Sequence, residues 1–215
     1  MKNYNSQEVK KCYNLSAREY SKQFLHELDQ KPLDRYLLDR FSASLQKKSI
    51  VLDFGCGSGQ TTKHLYDLRN HNIIGLDFAE KVVSHAKEVF PEIQFDVDNM
   101  LKSKYRSASA HGVMAFYAIV HFTYNEISKA LSEWERLLVK NGKVLFSFHI
   151  GTQSISIMNF LNVEGAHATW NFFNVDRIVK IIRLKEFRID EVIIRYPYEN
   201  VEHPSKRCYI MLTRK

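Results

Sequence analysis

The sequence predicts a single α/β domain in which helices cover both faces of a doubly wound, mostly parallel sheet of seven strands. Short apolar runs alternate with amphipathic segments through most of the 215 residues. A glycine-rich loop separates the first apolar run from the first amphipathic segment. The last two runs follow one another without a helix between them, which indicates an antiparallel strand at the C-terminal end of the sheet.

Five apolar runs have the length and composition of strands that are buried on both faces. They lie at residues 50–54, 72–76, 93–97, 112–119 and 143–150. Two more strands, joined by a loop that contains proline, are expected at residues 188–195 and 208–213.

Helices are predicted where apolar residues recur at helical spacing between these strands. They lie at residues 58–68, 79–90, 126–139 and 175–184. Asn125 is the expected N-terminal cap of the third of these helices. The pair Asn141-Gly142 is its expected stop.

Two segments fall outside the strand–helix alternation. Residues 1–45 are mostly helical in pattern and rich in tyrosine, so we expect an N-terminal helical cap. Residues 151–173 leave a strand end and mix small polar with bulky apolar side chains. Ligands of open parallel sheets bind outside the carboxyl ends of the strands, so this insert is expected on the substrate side. With no repeat and no low-complexity linker, residues 1–215 are predicted to form one domain.

Composition excludes several classes of protein. The three cysteines, Cys12, Cys56 and Cys208, are odd in number and widely spaced, which fits neither a disulfide framework nor a metal site. The net charge of +7 is scattered, so a solvated surface is expected and nucleic acid is an unlikely partner. The polar N-terminus and the absence of an apolar run long enough to cross a bilayer make cytoplasmic localisation, without membrane association, the expectation.

The glycine-rich loop carries the main chemical signal. Gly55, Gly57 and Gly59 follow a strand and lead into a helix, an arrangement in which backbone N–H groups can meet an anionic group. Asp53 stands two residues before the first glycine, where it suits the amine of an amino acid better than a pyrophosphate. Asp77 ends the next strand, where a carboxylate can accept hydrogen bonds from both ribose hydroxyls. An amino acid joined to a ribose points to S-adenosylmethionine rather than to NAD.

At these residues the chain resembles the class I S-adenosylmethionine-dependent methyltransferases. Residues 52–59, 75–79 and 95–100 resemble the first three motifs of that family. The resemblance implies a Rossmann-like fold, S-adenosyl-L-methionine as cofactor and S-adenosyl-L-homocysteine as product. It implies cofactor binding by Tyr20, Asp53, Gly55, Cys56, Gly57, Gly59, Asp77, Phe78, Asp98, Asn99, Met100 and Tyr117.

Several of these assignments keep an alternative. The adenine amine is met by Asp98 or by Asn99, because the third motif aligns loosely. Tyr20 lies in a helix that either covers the cofactor or packs its aromatic side chains on the domain. His121 follows the fourth strand and is either a general base, for which its ordinary pKa is suited, or a packed histidine of the pocket wall. His149, at the end of the fifth strand, carries the same ambiguity.

The C-terminal pair of strands carries Arg195, Glu202 and Arg207. These residues form an ion-pair network or recognise a polar group of the substrate, and an arginine fork would suit a carboxylate. The same segment resembles a subgroup of small-molecule methyltransferases.

The predicted function is methyl transfer by in-line displacement to an O, N, S or C nucleophile of a small molecule, by a monomer or a homodimer. No metal is expected. The alternatives are a nucleic-acid or protein methyltransferase, a cofactor-binding protein that has lost catalysis, and a dehydrogenase.

Overall fold

A computed structural model describes residues 4–68 and 71–215, so residues 1–3 of the predicted N-terminal cap lie outside the described part of the chain. The described residues contain the following strands: β1 (Ile50–Phe54), β2 (Asn72–Asp77), β3 (Gln94–Val97), β4 (Ala110–Ala115), β5 (Leu138–His149), β6 (Ser154–Ile157), β7 (Ala168–Asn171), β8 (Phe187–Arg195) and β9 (Arg207–Arg214). They contain these α-helices: α1 (Ser6–Phe24), α2 (Pro32–Ala43), α3 (Gln60–Asp67), α4 (Glu80–Val89), α5 (Tyr124–Leu137) and α6 (Val175–Arg183).

Seven strands form the central sheet in the order β3-β2-β1-β4-β5-β9-β8. Strands β1 to β5 pair in parallel, and β9 lies antiparallel between β5 and β8. The order reverses between β1 and β4, and in such sheets this switch opens a crevice at the carboxyl ends of the strands. The prediction of a mostly parallel, seven-stranded, Rossmann-like sheet with an antiparallel C-terminal strand is confirmed.

Burial on both faces explains why these strands are nearly continuous apolar runs. One core cluster lies between the sheet and α5 and α6 and includes Leu52, Trp134 and Phe146. A second lies on the opposite face, under α2 and α3, and includes Phe41 and Leu65. With helices on both faces, a polar side chain reaches a ligand most directly where a strand ends.

The structure corrects the predicted boundaries of α5. Its N-terminal cap is Thr123, which forms a capping box with Glu126, so the expectation of Asn125 as cap is wrong. The threonine hydroxyl accepts from the backbone N–H of Asn125, which places Asn125 inside the helix. The helix ends at Leu137 and β5 begins at Leu138, so Asn141-Gly142 does not stop it. Instead Asn141, with φ of 64°, lies within β5 near an irregular register with β4.

Strand β4 is shorter than predicted. It ends at Ala115, whereas the apolar run continues to Ile119. Tyr117 has φ of 53°, which breaks the strand, and its backbone N–H donates to Ser147 Oγ over 2.9 Å. Residues 116–119 thereby turn over the carboxyl edge of the sheet, and this places Phe116 and Tyr117 at the crevice.

The two segments outside the strand–helix alternation cover the same edge of the sheet. Helix α1 packs on α4 and on the insert, while α2 packs beside α3. The insert forms a hairpin of β6 and β7, whose register runs from Ser154 opposite Asn171 to Ile157 opposite Ala168. Within residues 4–68 and 71–215, no helix combines the length and apolarity that crossing a membrane requires.

A buried ionic network ties the N-terminal helices to the C-terminal strands. Arg195 Nη2 donates to Asp34 Oδ2 over 2.9 Å, and Asp34 is fully buried. Tyr209 Oη donates to the same carboxylate oxygen over 3.0 Å, and Arg195 also pairs with Glu202. Burial raises the pKa of Asp34, while Arg195 opposes this rise. Arg195 and Glu202 therefore belong to an ion-pair network, which is one of the two alternatives predicted for them.

Replacing Arg195 by methionine leaves the Asp34 carboxylate buried without its cation. We expect the free energy of unfolding, measured by urea denaturation, to fall by about 3–5 kcal/mol. The matched control is Arg40→Met, which breaks a partly exposed ion pair with Glu191 and is expected to cost less. Equal losses in the two variants would contradict the importance of the Asp34–Arg195 pair.

Candidate functional site

The turn after β1 forms the floor of the site. The backbone N–H groups of Gly55 and Cys56 both donate to Leu76 O, over 2.7 and 3.1 Å, which pulls the turn against β2. Gly55 and Gly57 have φ of 69° and 55°, a region that favours glycine. A Cβ on Gly55 would lie 2.4 Å from Ala118 Cβ, so the backbone there approaches its neighbour as closely as glycine alone permits.

A cavity, here called the loop cavity, opens above this turn with an empty volume of about 670 Å³. Most of the predicted site residues line it, although they come from five separate parts of the chain. These are Tyr20, Gly55, Gly57, Asp77, Phe78, Asp98, Asn99, Met100, Tyr117 and His121. The structure therefore brings together the residues of all three motifs, as the resemblance implied.

Asp77 ends β2 and presents its carboxylate to the loop cavity. Its Oδ2 accepts from the backbone N–H of Gly57 over 3.3 Å, and its Oδ1 accepts from that of Ala79 over 3.0 Å. Each carboxylate oxygen can still accept a second hydrogen bond. Binding to two vicinal hydroxyls requires this capacity. Burial raises the pKa of Asp77 to about 6, against which these backbone hydrogen bonds act.

Asp53 lies behind the turn rather than at the cavity wall. Its Oδ2 accepts from the hydroxyls of Thr61 and Thr62, over 2.9 and 2.6 Å, and so ties β1 to the first turn of α3. Its Oδ1 is buried without a hydrogen-bond partner among the described residues. Burial raises the pKa of Asp53 to about 7. Contact between Asp53 and an amine stays a prediction, and its observed contacts position the loop.

Two more predicted residues stand apart from the loop cavity. Gly59, with φ of 87°, lies where a Cβ would come within 2.8 Å of the Phe95 ring, so it serves the packing of the turn. Cys56 lines a neighbouring cavity, and burial raises the pKa of its thiol well above the ordinary value. Contact of either residue with a cofactor stays a prediction.

Asp98 and Asn99 both line the loop cavity, but their side chains differ in what they already bind. Asp98 Oδ1 accepts from the backbone N–H groups of Asn99 and Lys104, and Ser103 Oγ donates to Oδ2. Asn99 is exposed, and its Oδ1 accepts from the N–H of Leu101 over 2.9 Å. Asp98 thus shapes the loop at 98–104, and the choice of the adenine contact stays a prediction.

His121 is held at both ring nitrogens. Nδ1 lies 2.8 Å from Thr169 O, so Nδ1 carries the proton and donates to that carbonyl. Nε2 then accepts from the Tyr13 hydroxyl over 2.9 Å. Burial lowers the pKa of His121 to about 4, so the ring is neutral near pH 7 and is a weaker base than its ordinary pKa implied. Both residues line the loop cavity, and Nε2 of His121 is hydrogen-bonded to the Tyr13 hydroxyl.

A second cavity, here called the insert cavity, lies between the loop and the insert and has an empty volume of about 1970 Å³. The two cavities share the wall residues Tyr13, Tyr20, Gly55, Phe116 and Tyr117. His149 also lines the insert cavity, with Nδ1 at 2.8 Å from Ser205 Oγ. Burial, Arg207 and His203 together lower the pKa of His149 to about 3.

Sequence reasoning missed the polar residues that the N-terminal segment brings to the insert cavity. Glu27 and Lys31 lie between α1 and α2 and pair over 2.5 Å. Glu27 also accepts from Gln60 Nε2 over 2.8 Å, which joins this segment to the start of α3. Neither residue belongs to a local motif, so their position follows only from the packing of the N-terminal helices. In the described ranges, no cluster of histidine, cysteine or carboxylate side chains is placed to hold a metal ion.

Comparisons with known proteins agree with this geometry. Residues 51–142 match the family model described as a methyltransferase domain. An uncharacterized methyltransferase of Bacillus cytotoxicus is 29% identical over 106 residues, which cover 45% of each chain. The human eEF1A lysine and N-terminal methyltransferase is 27% identical over 105 residues, 47% of this chain and 15% of that protein.

Among solved structures, an S-adenosylmethionine-dependent methyltransferase of Methanosarcina mazei superposes with a TM-score of 0.71 at 15% identity. The superposition covers 80% of this chain and 95% of the other, and at this identity it shows the fold. The chain spans about half the length of the curated bacterial relatives that it matches.

The carboxylate of Asp77 leads to a pH prediction. With a pKa of about 6, the carboxylate is charged above pH 6, where it would accept hydrogen bonds from ribose hydroxyls, and it becomes protonated as the pH falls. We expect the affinity for S-adenosylhomocysteine, measured by calorimetry between pH 8 and 5, to fall by up to about tenfold per pH unit below pH 6.

The Asp77→Asn variant is the control, because it cannot titrate there. It should bind S-adenosylhomocysteine more weakly at pH 8 and show a flatter profile below pH 6. A profile as steep as that of the unaltered protein would assign the titration to another group, such as Asp53.

Proposed function

We propose that this chain, whose residues 51–142 match a methyltransferase-domain model, transfers a methyl group from S-adenosylmethionine to an O, N, S or C nucleophile of a small molecule. The observation that carries the proposal is the pair of adjoining cavities. The loop cavity is lined by residues of the three motifs that resemble those of the family. The insert cavity adjoins it and shares the wall residues Tyr13, Tyr20, Gly55, Phe116 and Tyr117.

The residues of the loop cavity fit S-adenosylmethionine, which when bound supplies a methyl group on a sulfonium centre. Asp77 would accept from the ribose hydroxyls. The turn at Gly55 and Gly57 allows the close approach that the amino acid portion needs. Asp98 or Asn99, with Met100 and Phe78, would enclose the adenine.

Catalysis in this arrangement depends on alignment and on exclusion of water. Tyr20 rests against the glycine turn, since a Cβ on Gly57 would come within 2.9 Å of its ring. Helix α1 is fixed over the cavity by an ion pair of Lys10 with Glu80 and by Asn14, whose Oδ1 accepts from the Lys81 N–H. Correct placement of the two reactants can supply about 7–11 kcal/mol, enough for an acceptor that is already nucleophilic.

For an acceptor that must lose a proton, we propose His121 as the base, acting through Tyr13. Tyr13 lines both cavities and already donates to His121 Nε2. When the hydroxyl receives the proton of the acceptor, it passes its own proton to Nε2. The hydrogen bond from Nδ1 to Thr169 O keeps Nε2 free to receive it.

A protein acceptor is the second candidate function, because one similar protein is named as a lysine and N-terminal methyltransferase. The small-molecule reading is supported by the insert, because its residues Phe160 and Trp170 line the insert cavity beside the residues of the glycine turn. A site that accepts a lysine within a folded protein needs a channel open to a large partner.

The proposed cofactor is tested by calorimetry with S-adenosylhomocysteine and NADH. We expect binding of S-adenosylhomocysteine and none of NADH, because Gln60 and Asp53 stand where a dinucleotide site favours small or uncharged groups. Binding of NADH in preference would support a dehydrogenase. The acceptor is then sought in a small-molecule screen scored by release of S-adenosylhomocysteine.

The base is tested with His121→Ala and Tyr13→Phe, using an acceptor from that screen. We expect turnover to fall by about 100-fold in His121→Ala, while the affinity for S-adenosylhomocysteine changes little. Tyr13→Phe should lower turnover to a similar extent, because it keeps the ring and removes the relay hydroxyl. Losses of turnover and affinity in equal proportion would contradict a role in proton transfer.

A further inference from the structure

The insert cavity is lined by two positively charged side chains that have unused hydrogen-bond donors. Lys31 and Arg207 line it, and both side chains are more than nine-tenths buried. Burial of a charged donor is costly unless its hydrogen bonds are made, so an unused donor facing a cavity is a candidate for ligand recognition. This reasoning rests on the proposed function, because it concerns the acceptor side of the same site.

The two carboxylates of the cavity are, by contrast, well supplied with donors. Glu202 accepts from both terminal nitrogens of Arg195 and from the backbone N–H of Tyr198. Its Oε2 also lies 3.6 Å from Lys31 Nζ. Glu27 accepts from Gln60 at one oxygen and from Lys31 at the other. Neither carboxylate is therefore left to attract a cationic acceptor.

Arg207 keeps unused donors. Its Nη1 donates to the carbonyls of His203 and Ser205. Its Nε lies 3.2 Å from Glu202 Oε2 but has no hydrogen-bond partner, and Nη2 makes no hydrogen bond to any described residue. Among the same residues, Lys31 Nζ uses one of its three hydrogens, on Glu27. Lys31 and Arg207 thus have unused hydrogen-bond donors, whereas the carboxylates of Glu27 and Glu202 already accept hydrogen bonds.

Another part of the cavity wall is aromatic. Phe160 and Trp170 meet edge to face at 5.9 Å, and Tyr20 and Phe24 lie 4.6 Å apart. The ring of His149 is parallel to that of Trp170, within 9°, and lies at the boundary between the aromatic and the polar walls. A flat apolar body would be covered by this wall.

We propose that the insert cavity binds an acceptor with a flat apolar body and a single carboxylate, and that Lys31 and Arg207 recognise the carboxylate. Lys31, Arg195 and Arg207 are matched in charge by Glu27, Asp34 and Glu202. A carboxylate therefore adds one uncompensated negative charge to the buried cluster and a dianionic phosphate would add two, so the smaller charge is the less costly to bury.

The proposal is tested with indole-3-acetate and indole-3-acetamide, which share their shape and differ in the carboxylate. Each is titrated by calorimetry into the full chain, with and without bound S-adenosylhomocysteine. We expect the acid to bind about tenfold more tightly than the amide, as a charge-assisted hydrogen bond provides. Equal affinities, or no detectable binding of the acid, would overturn the proposal.

The variants Lys31→Met and Arg207→Gln should each lose most of this preference. Lys180→Met, an exposed lysine on α6, is the control and should retain it. Survival of the preference in both variants of the cavity would overturn the proposal. Thermal unfolding checks that each variant folds, and Lys31→Met remains informative if Arg207→Gln does not fold, because Lys31 lies outside the strands.

The same titrations separate this proposal from the proposed function. If S-adenosylhomocysteine fails to bind the unaltered protein, the methyltransferase proposal fails, whatever the indole compounds do. If S-adenosylhomocysteine binds and the acid and amide are equivalent, the carboxylate proposal alone fails.

Discussion

The turn that leaves β1 is the constraint on which the site depends. Gly55 and Gly57 hold positive φ values, and the N–H groups of Gly55 and Cys56 share one carbonyl of β2. Behind the turn, the Asp53 carboxylate is bonded to hydroxyls of the first turn of α3. These contacts fix the ends of β1, β2 and α3 relative to one another, so the position of Asp77 follows from the turn.

The cofactor half of the site could be predicted from sequence because it is local. The turn and Asp77 lie within 25 residues, and each follows a strand that its composition identifies. Asp53 shows the limit of this reasoning. It is paired in register with Gly75 and Met114 inside the sheet, so its side chain points into a covered face, while Asp77, the last residue of β2, reaches the cavity. Spacing identified both acids but could not show which of them lines the loop cavity.

The acceptor half could not be predicted in the same way. Lys31 and Arg207 are far apart in the chain, and both come near Glu202 Oε2 in a region where the Asp34–Arg195 pair joins α2 to the C-terminal strands. Tyr117 reaches the crevice because β4 ends early, at a positive φ that an apolar run does not reveal. The predicted N-terminal cap of α5 was wrong because threonine and asparagine can both cap a helix. The capping box with Glu126 favours Thr123 over Asn125.

The two halves are joined by a chain of side chains rather than by the sheet alone. Gln60, the first residue of α3, donates to Glu27, and Glu27 accepts from Lys31. A carboxylate that binds Lys31 therefore acts on a residue that is linked, through Glu27, to the start of α3. Because binding free energies are reciprocal, any such coupling must also let an occupied loop cavity strengthen or weaken acceptor binding by the same factor. An enzyme that must align two reactants across one wall gains from this connection, since it links the placement of one to the placement of the other.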